Sequence, residues 1–562
     1  MKKGSFTFVL HSHLPYCRKA GRWPHGEEWL HEGILDTYLP LLDALYDLKQ
    51  EGCPFRLTIG ITPVLTEQLA DPLILKHFRI FIEDKIDRAS NDRERFKKQG
   101  EGHLAYLAEF YLHLYEQLLD RFENRFQGDI ISAFKTLQDE GYVEMLTSAA
   151  THAYLPLLGR DSSLCGQLKT GVKTYERHFG RSPRAIWLPE CGYRPAFYTS
   201  KSQKSYKPGI EHFLADAGIE LFFSETHMVE GGEPVGKATG AVIGPYSNIP
   251  RRYLVPRPQY TEPTMKTTFL PYWVQSGNEP TISVAVIGRN NRTGMQVWSA
   301  DWGYPGDFDY REFHKKDGVS GLQYWRVSGA GLDLAFKDYY HPDWAAHKVQ
   351  EHASHYAGLV ADLLNEFSEG NNRYGIIVAA YDTELFGHWW FEGISWIKEV
   401  LRRLAMSEVV ELTTASEFIE QHPPEDVLSL KEGSWGQAGT HFTWLNADNE
   451  WLWPLIHEAE LKMEDLVARY PTATRNMTRI LNQAARELLL LQSSDWPFLI
   501  TTGQAKEYAT NRFQEHLRRF HELADIALAG TASKEALKLC QEYNDLDNVF
   551  ADIDYRHFAS RG

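Results

Sequence analysis

The segment YGIIVAAYD, residues 374–382, is an apolar run that ends in a carboxylate, and it indicates the fold most clearly. Three other runs end in polar residues in the same way: FTFVLHSH (6–13), VEMLTSAATH (143–152) and AIWLPE (185–190). Such runs are typical of buried parallel strands whose carboxyl ends carry the chemistry. We therefore expect the side chains that follow these runs to meet at one end of a parallel sheet.

Helical patterns separate the apolar runs. In ILDTYLPLLDALYDLKQ (34–50) and AYLAEFYLHLYEQLLDRFENR (105–125), apolar residues recur three and four positions apart. Strands alternating with helices over most of the chain favour an α/β fold of the β/α barrel type, with active-site groups at the strand carboxyl ends. An open doubly wound sheet is the alternative, but no Gly-rich phosphate loop follows the first strand.

The chain has 562 residues, too many for one simple core, and its character changes near residue 423. Beyond that point the patterns are long and helical, as in residues 473–492 and 504–529. We predict a catalytic barrel domain over residues 1–422 and an α-helical C-terminal domain over residues 423–562 that contributes to the substrate cleft.

Two segments break the alternation. Residues 229–272 are rich in Gly, Pro and Tyr, and a loop of this length within a domain is typical of a lid or of disorder. Residues 433–453 hold four tryptophans in a polar, Gly-containing stretch, a density that core packing alone explains poorly. We expect Trp435 and Trp444 to face the cleft, and Trp451 and Trp453 to pack the helical domain against the barrel.

Composition restricts the partners. The formal net charge is -16, from 75 acidic and 59 Lys and Arg residues, which argues against a nucleic-acid partner. Five cysteines without CxxC spacing argue against a disulfide framework and favour the cytoplasm. No segment approaches the roughly 20 apolar residues needed to span a membrane. Aromatic residues make up 13% of the chain and suit a groove lined with stacking surfaces.

His11 and His13 are two residues apart, so in an extended chain their imidazoles point to the same side. Two such imidazoles can contribute to a zinc site, but the other His residues supply no recognisable partner set. Hydrogen bonding to a polar substrate is therefore preferred to metal binding. A buried, hydrogen-bonded histidine is the simplest interpretation for either residue, and the same alternatives apply to His152.

Two acids follow the apolar runs directly. Glu190, in WLPECGYRP, is either a nucleophile or the structural ion-pair partner of Arg194. Asp382 either caps a helix or acts in catalysis, and His388 and Trp389 follow it closely. Two strand-end carboxylates among Trp, His and Tyr are suited to cleaving glycosidic bonds, because one can attack the anomeric carbon while the other protonates the leaving oxygen.

Several of these stretches together resemble glycoside hydrolase family 57, and specifically its branching-enzyme group. The similarity runs nearly from end to end of the chain. The matching stretches are HSHLPY (11–16), GYVEMLTSAATHAYLPLL (141–158), WLPECGYRP (187–195), QVWSADWGYPGD (296–307), YDTELFGHWWFEG (381–393), WGQAGTHFTWLN (435–446), ELLLLQSSDWPF (487–498) and DNVFADIDYRHF (547–558).

The resemblance implies a (β/α)7 barrel with an α-helical C-terminal domain, no metal and no cofactor. It implies a retaining double displacement with Glu190 as nucleophile and Asp382 as general acid/base. The implied substrate is an α-glucan such as amylose, glycogen or an amylopectin-like polymer, handled by a monomer without a nucleic-acid or membrane partner. The predicted substrate contacts are His11, His13, Trp23, His152, Arg289, Trp298, Gly306, His388, Trp435, Trp444 and Asp495.

The sequence departs from the family pattern at two places. Asn290 follows Arg289, where the family often has Asp, and the loop at 229–272 is longer than usual. The resemblance implies that one tyrosine of this loop closes over the cleft. Because the loop is long, three residues are candidates for that role: Tyr246, Tyr253 and Tyr260.

Three rival functions fit some of these residues. The nearest is an α-amylase or 4-α-glucanotransferase of the same family, acting through the same two acids. A zinc-dependent carbohydrate deacetylase or α-mannosidase would use the neighbouring histidines. A non-catalytic glucan-binding protein would keep the tryptophans and lose nothing when the acids are replaced.

Overall fold

Seven parallel strands form the centre of the fold. We describe a computed structural model over residues 2–199, 206–234, 262–277, 283–299 and 303–560. The central strands are β1 (Gly4–Ser12), β2 (Leu57–Ile61), β3 (Val143–Leu146), β4 (Ala185–Ile186), β5 (Leu221–Ser224), β6 (Ala285–Gly288) and β7 (Gly375–Asp382).

The seven strands close into a ring. β1 pairs in parallel with β7 on one side and β2 on the other, and β2 pairs with β3. A parallel bridge between Thr147 and Ile186 joins β3 to β4, and β4, β5 and β6 pair in that order. The Asn290 N–H donates to the Val378 carbonyl at 2.9 Å and links the end of β6 to β7. The (β/α)7 barrel predicted from the resemblance is thereby confirmed.

Both faces of the strands are buried, which is why their sequences read as continuous apolar runs. All nine residues of β1 are buried. Val9 packs into one hydrophobic cluster, whereas Phe6, Phe8 and Leu10 pack into another with the surrounding helices. Successive side chains of a strand point to opposite faces, so β1 separates the barrel interior from the helical layer.

Helices surround the barrel and alternate with its strands along the chain. Those up to residue 421 are Glu27–Gly33, Leu39–Gln50, Pro63–Leu69, Pro72–Gln99, Gly102–Asp120, Ile130–Asp139, Asp161–Phe179, Ile210–Asp216, Thr226–Glu230, Asn291–Trp298, Pro342–Asn371, Gly393–Ala405 and Ala415–Gln421. The predicted helices at 34–50 and 105–125 are present, with π-helical turns at Ile34–Tyr38 and Arg121–Arg125. Short strands lie outside the ring at Phe197–Tyr198, Tyr206–Lys207, Tyr272–Val274, Val410–Leu412 and Val427–Leu428.

The region from residue 423, predicted to be α-helical, contains the short strand Val427–Leu428, and its α-helices begin at Leu452 in the described part of the chain. Its helices are Leu452–Arg469, Arg475–Leu491, Asp495–Thr502, Lys506–Ala529 and Lys534–Leu546. Ala153 and Ser493 form an isolated antiparallel β-bridge, and the Ser494 N–H donates to the His152 carbonyl at 3.2 Å. The helical region therefore contacts the segment that follows β3.

Two further findings concern the loop and the membrane. Helix Thr226–Glu230 and strand Tyr272–Val274 lie at the two ends of the predicted lid segment. Tyr246, Tyr253 and Tyr260 lie outside the described residues. Within the described ranges, no helix has both the length and the apolarity to cross a bilayer.

Candidate active site

Glu190 lies in a tight turn just beyond the end of β4. The single 3-10 turn Pro189–Cys191 holds Glu190 at φ 60° and ψ 24°, a left-handed conformation that costs a residue with a side chain about 1–3 kcal/mol. The Trp435 indole Nε1–H donates to Glu190 Oε2 at 2.5 Å, and the Trp435 backbone N–H donates to the Glu190 carbonyl at 3.0 Å. The carboxylate is therefore fixed by a tryptophan from the segment after the barrel.

Asp382 is the last residue of β7 and is paired in register with His11 of β1. Burial, Glu225, Glu190 and Asp382 all raise the pKa of the Cys191 thiol, opposed by Arg289, and it lies well above its usual range. The barrel brings these two acids, 192 positions apart (382 − 190), to the same region at its carboxyl end.

Three imidazoles lie together beside the two acids. His11 Nε2 is 3.0 Å from His152 Nε2, and the rings of His13 and His152 stack with centroids 3.9 Å apart. His13 Nδ1 is 3.0 Å from Thr62 Oγ1, and its Nε2 is 3.1 Å from Asp495 Oδ1. The structure therefore brings together His11, His13, His152 and Asp495 as two hydrogen-bonded pairs that are joined by ring stacking.

The pKa values of His13 and His152 are shifted in opposite directions. Burial lowers the pKa of His13, but the carboxylates of Asp495, Glu384 and Glu190 outweigh it and leave that pKa raised. Burial, together with His13 and His11, lowers the pKa of His152 well below its usual range. The raised pKa favours the protonated form of His13, and the lowered pKa favours the neutral form of His152.

Arg289 lies at the end of β6 and is almost completely buried. Its Nη2 is 2.6 Å from Glu225 Oε2, and its guanidinium lies 5.8 Å from the centre of the Trp435 ring. The departure from the family pattern at Asn290 has a structural role. Asn290 Oδ1 accepts from the Thr293 N–H at 3.0 Å and caps helix Asn291–Trp298.

The predicted aromatic contacts occupy different environments. Trp444 is buried and stacks on Tyr154 at 4.2 Å, and Trp298 is buried with its ring 6.5 Å from that of Tyr381. Trp23 is 77% exposed, on the loop between β1 and helix Glu27–Gly33. Trp453 is buried, and Trp451 is 37% exposed and packs edge-on against Phe513. Direct contact of Trp23, Trp298 and Trp444 with a glucan stays a prediction.

Gly306 and His388 lie on the segments that follow β6 and β7. Gly306 ends the 3-10 turn Tyr304–Gly306 and is half-buried. His388 Nδ1 is 3.0 Å from Asp36 Oδ2, and its ring contacts Phe313 with centroids 5.4 Å apart. The guanidinium of Arg194, the residue considered above as an ion-pair partner of Glu190, donates to the backbone carbonyls of Pro195 and Pro208.

Glu384 and Tyr38 join this region although the sequence analysis did not select them. The Tyr38 hydroxyl donates to Glu384 Oε1 at 2.5 Å, and the His13 backbone N–H donates to the same oxygen at 3.0 Å. Burial, with Asp382, raises the pKa of Glu384 to about 7. The position of Glu384, two residues after Asp382, was the one available signal.

Among the described residues, one group of three side chains has metal-ligand spacing, and it lies elsewhere. Glu487, His516 and Asp547 are buried with ligand atoms within 4.8 Å of one another. Arg519 Nη1 donates to Asp547, and Arg512 Nη2 lies 3.0 Å from His516 Nε2. Because Arg519 pairs with Asp547 and His516 Nδ1 lies 2.8 Å from Glu487 Oε2, the donor set favours a hydrogen-bonded and ion-paired network that holds the C-terminal tail.

A parallel barrel that gathers acids, imidazoles and a tryptophan-bound carboxylate at its strand carboxyl ends defines a barrel enzyme suited to glycosidic bonds. The sequence model of glycosyl hydrolase family 57 matches residues 7–431, and the model described as 1,4-alpha-glucan branching enzyme, C-terminal, matches residues 455–558. The chain belongs to glycosyl hydrolase family 57.

Three relatives illustrate the similarity. A 1,4-alpha-glucan branching enzyme of Thermococcus kodakarensis is 45% identical over 555 residues, which cover 98% of this chain and 78% of the relative. The crystal structure of a GH57-type branching enzyme from Pyrococcus horikoshii is 42% identical, with a TM-score of 0.86 and coverage of 100% and 97%. An alpha-amylase from Thermotoga maritima is 31% identical, with a TM-score of 0.81 and coverage of 100% of both chains.

Proposed function

We propose that this protein is a 1,4-α-glucan branching enzyme that cleaves an α-1,4 linkage and transfers the released chain to a 6-hydroxyl. Glu190 is the nucleophile and Asp382 the general acid/base. The observation that carries the proposal is the placement of both acids at the carboxyl ends of barrel strands, Glu190 in the turn after β4 and Asp382 at the end of β7, with Glu190 fixed by Trp435. The similarity to branching enzymes over nearly the whole chain supports the choice of reaction.

The reaction proceeds in two displacements. In the first, Glu190 attacks the anomeric carbon while Asp382 gives its proton to the departing glycosidic oxygen. This forms a β-linked glycosyl-enzyme and frees the rest of the donor chain. In the second, the Asp382 carboxylate takes the proton of an acceptor 6-hydroxyl, whose oxygen attacks the same carbon and releases Glu190. The new bond is an α-1,6 branch, and both acids return to their starting states.

Transfer competes with water at the second displacement. Water is abundant, so branching requires that the acceptor be held and oriented beside the glycosyl-enzyme. The carboxylate of Asp495, paired with His13, can accept further hydrogen bonds from sugar hydroxyls, and the rings of His11 and His152 stack beside His13. Arg289 lies close to Trp435, whose indole N–H binds Glu190. We therefore assign Arg289 to the surface that contacts the glucan.

An α-amylase is the second candidate, because the Thermotoga maritima alpha-amylase covers the whole chain at 31% identity. The two functions use the same acids and differ in whether a glucan hydroxyl or water accepts the chain. The match of the branching-enzyme C-terminal model to residues 455–558 favours transfer.

The test is a product analysis with pure linear amylose. Proton NMR of the products is expected to show new α-1,6 signals that increase with time, with little gain in reducing ends. Shorter linear chains without α-1,6 signals would assign hydrolysis or disproportionation instead. Glu190→Gln and Asp382→Asn serve as inactive controls, and full activity in either variant would remove that acid from the mechanism.

Three further expectations belong to this proposal. The division into domains at residues 1–422 and 423–562 is supported by the ends of the two family matches at residues 431 and 455. A cytoplasmic location is supported by the five cysteines, which are odd in number and have no CxxC spacing. The protein is expected to act as a monomer.

A further inference from the structure

A group of aromatic side chains lies on the outer surface, on elements other than those that carry Glu190 and Asp382. We call it the outer aromatic row: His103, Tyr106, Trp325, Tyr339, His341 and Trp344. Tyr106 is 48% exposed, Tyr339 37% and Trp344 49%. Protein surfaces rarely leave several large rings exposed side by side unless they bind something there.

The rings of the row are direct neighbours. The centroid of His103 lies 5.9 Å from that of Tyr106, 6.0 Å from that of Tyr339 and 4.4 Å from that of His341. The rings of His341 and Trp344 stack at 3.9 Å with an 18° angle between their planes. The row is therefore a continuous surface.

Backbone hydrogen bonds hold the row in place. Trp325 and Tyr339 form an antiparallel bridge, and the Tyr340 N–H donates to the Tyr324 carbonyl at 2.9 Å. His103 Nε2 lies 2.8 Å from the Tyr340 carbonyl and joins the helix to this strand-like pair. A surface fixed in this way loses little conformational entropy when a ligand binds.

Charged side chains border the rings. Arg326 binds Asp338 at 2.8 Å and lies over the Trp344 ring at 5.7 Å, and Lys315 lies over the Trp325 ring at 4.6 Å. Such a surface combines flat apolar faces with hydrogen-bonding groups of both signs. A sugar chain has the matching chemistry, because each ring presents C–H faces bordered by hydroxyls.

The row is also connected to the strand end of β7. Phe313 contacts Trp389 with centroids 4.3 Å apart and His388 with centroids 5.4 Å apart. The residue before it, Glu312, donates its backbone N–H to the Trp325 carbonyl at 2.9 Å. The ring contacts of Phe313 and the backbone hydrogen bond of Glu312 thus connect the segment after Asp382 to the outer aromatic row.

We propose that the outer aromatic row binds an α-glucan chain outside the catalytic centre and so keeps a long polymer on the enzyme between reactions. The identity of the ligand rests on the proposed function, whereas the geometry of the row does not.

The test compares glycogen binding and catalysis in the double variant Tyr339→Ala/Trp344→Ala. In native gels that contain glycogen, the apparent Kd is expected to rise about fivefold or more, because two stacking rings are lost. KM for amylose is expected to rise with it, while kcat on a short soluble maltooligosaccharide stays unchanged. Tyr339→Phe/Trp344→Phe keeps two rings and is expected to retain most of the affinity.

Phe336→Ala is the matched control, since Phe336 is 72% exposed on the same segment but is not part of the row. Its glycogen retention is expected to equal that of the wild type. Wild-type retention of the double alanine variant would overturn the proposal, and Trp344→Ala alone repeats the test if the double variant folds poorly. The proposed function is tested separately by the amylose product analysis, because a wild-type protein that makes no α-1,6 bonds can still be retained by glycogen.

Discussion

Glu384 is the acid in the site whose charge changes near neutral pH. Burial and the neighbouring Asp382 oppose the ionisation of its side chain and outweigh the hydrogen bonds that it accepts from Tyr38 and from the His13 backbone. A carboxyl group of this kind stays protonated in the native state at pH values where it is ionised in the unfolded chain. The stability of the protein therefore depends on pH through this side chain.

Replacing Glu384 by Gln is expected to change that dependence. The native pKa is about 7, above the 4.5 of an unperturbed Glu, so the native state binds the extra proton between these values. The stability from this group is fully present below pH 4.5 and is lost as pH rises through 7. In urea unfolding, wild type is expected to lose about 2 kcal/mol relative to Glu384→Gln between pH 5 and pH 8. Parallel pH profiles for the two proteins would contradict the prediction.

Individual site residues were predictable where they follow an apolar strand and unpredictable where their partner is distant. Glu190, Asp382, His11 and His13 all follow such runs, so the barrel architecture alone brings them together. The contact between Tyr38 and Glu384 spans 346 positions and gives no periodic signal in the sequence. The exposure of Trp23 and the burial of Trp444 likewise depend on packing that no local pattern encodes.

Asn290 both begins a helix and helps to close the barrel. Its side chain caps helix Asn291–Trp298, while its backbone N–H completes the connection from β6 to β7. An N-cap residue satisfies helix N–H groups that have no partner within the helix. The substitution of Asp by Asn in the family pattern therefore preserves the cap.

Asn290→Ala is expected to lower the free energy of unfolding by about 1 kcal/mol, the usual contribution of an N-cap side chain. Asn290→Asp is expected to be as stable as wild type, because a carboxylate accepts the same hydrogen bond and interacts favourably with the helix dipole. Guanidinium unfolding measures both. An equal loss in the alanine and aspartate variants would show that capping is not the role of this side chain.

Strands were predicted better than loops. The runs at residues 6–10 and 375–382 are strands as expected, whereas the run at 185–189 yields only the two-residue strand β4 before the turn that holds Glu190. Pro189 ends the strand early, because it has no N–H for a ladder. The ring also contains β5 and β6, which the sequence analysis did not identify as separate strands.

The C-terminal tail holds the two parts of the molecule together. Phe558 is buried against helix Asp161–Phe179, and a methyl group added at Gly166 would lie 2.4 Å from its ring. Tyr16, after β1, donates its hydroxyl to the Leu546 carbonyl at 3.2 Å. The helical region and the barrel are therefore expected to unfold as one cooperative unit.

Gly166→Ala is expected to destabilise the protein by about 1–3 kcal/mol, because the buried Phe558 ring must move. Gly358→Ala is the matched control, since Gly358 also lies within a helix and nothing lies within 4 Å of an added methyl group. That control is expected to stabilise the protein by about 0.5–1 kcal/mol. Thermal unfolding of the two variants measures both effects, and a neutral Gly166→Ala would show that the tail is not packed as described.

The roles of Glu190 and Asp382 are tested most directly by azide rescue with an α-glucosyl fluoride donor. In Glu190→Ala, azide takes the place of the nucleophile, attacks once and is expected to give the β-glycosyl azide. In Asp382→Ala, the fluoride leaves without acid assistance, azide attacks the glycosyl-enzyme, and the expected product is the α-glycosyl azide. Proton NMR distinguishes the two anomers. The same anomer from both variants, or the opposite assignment, would contradict the mechanism.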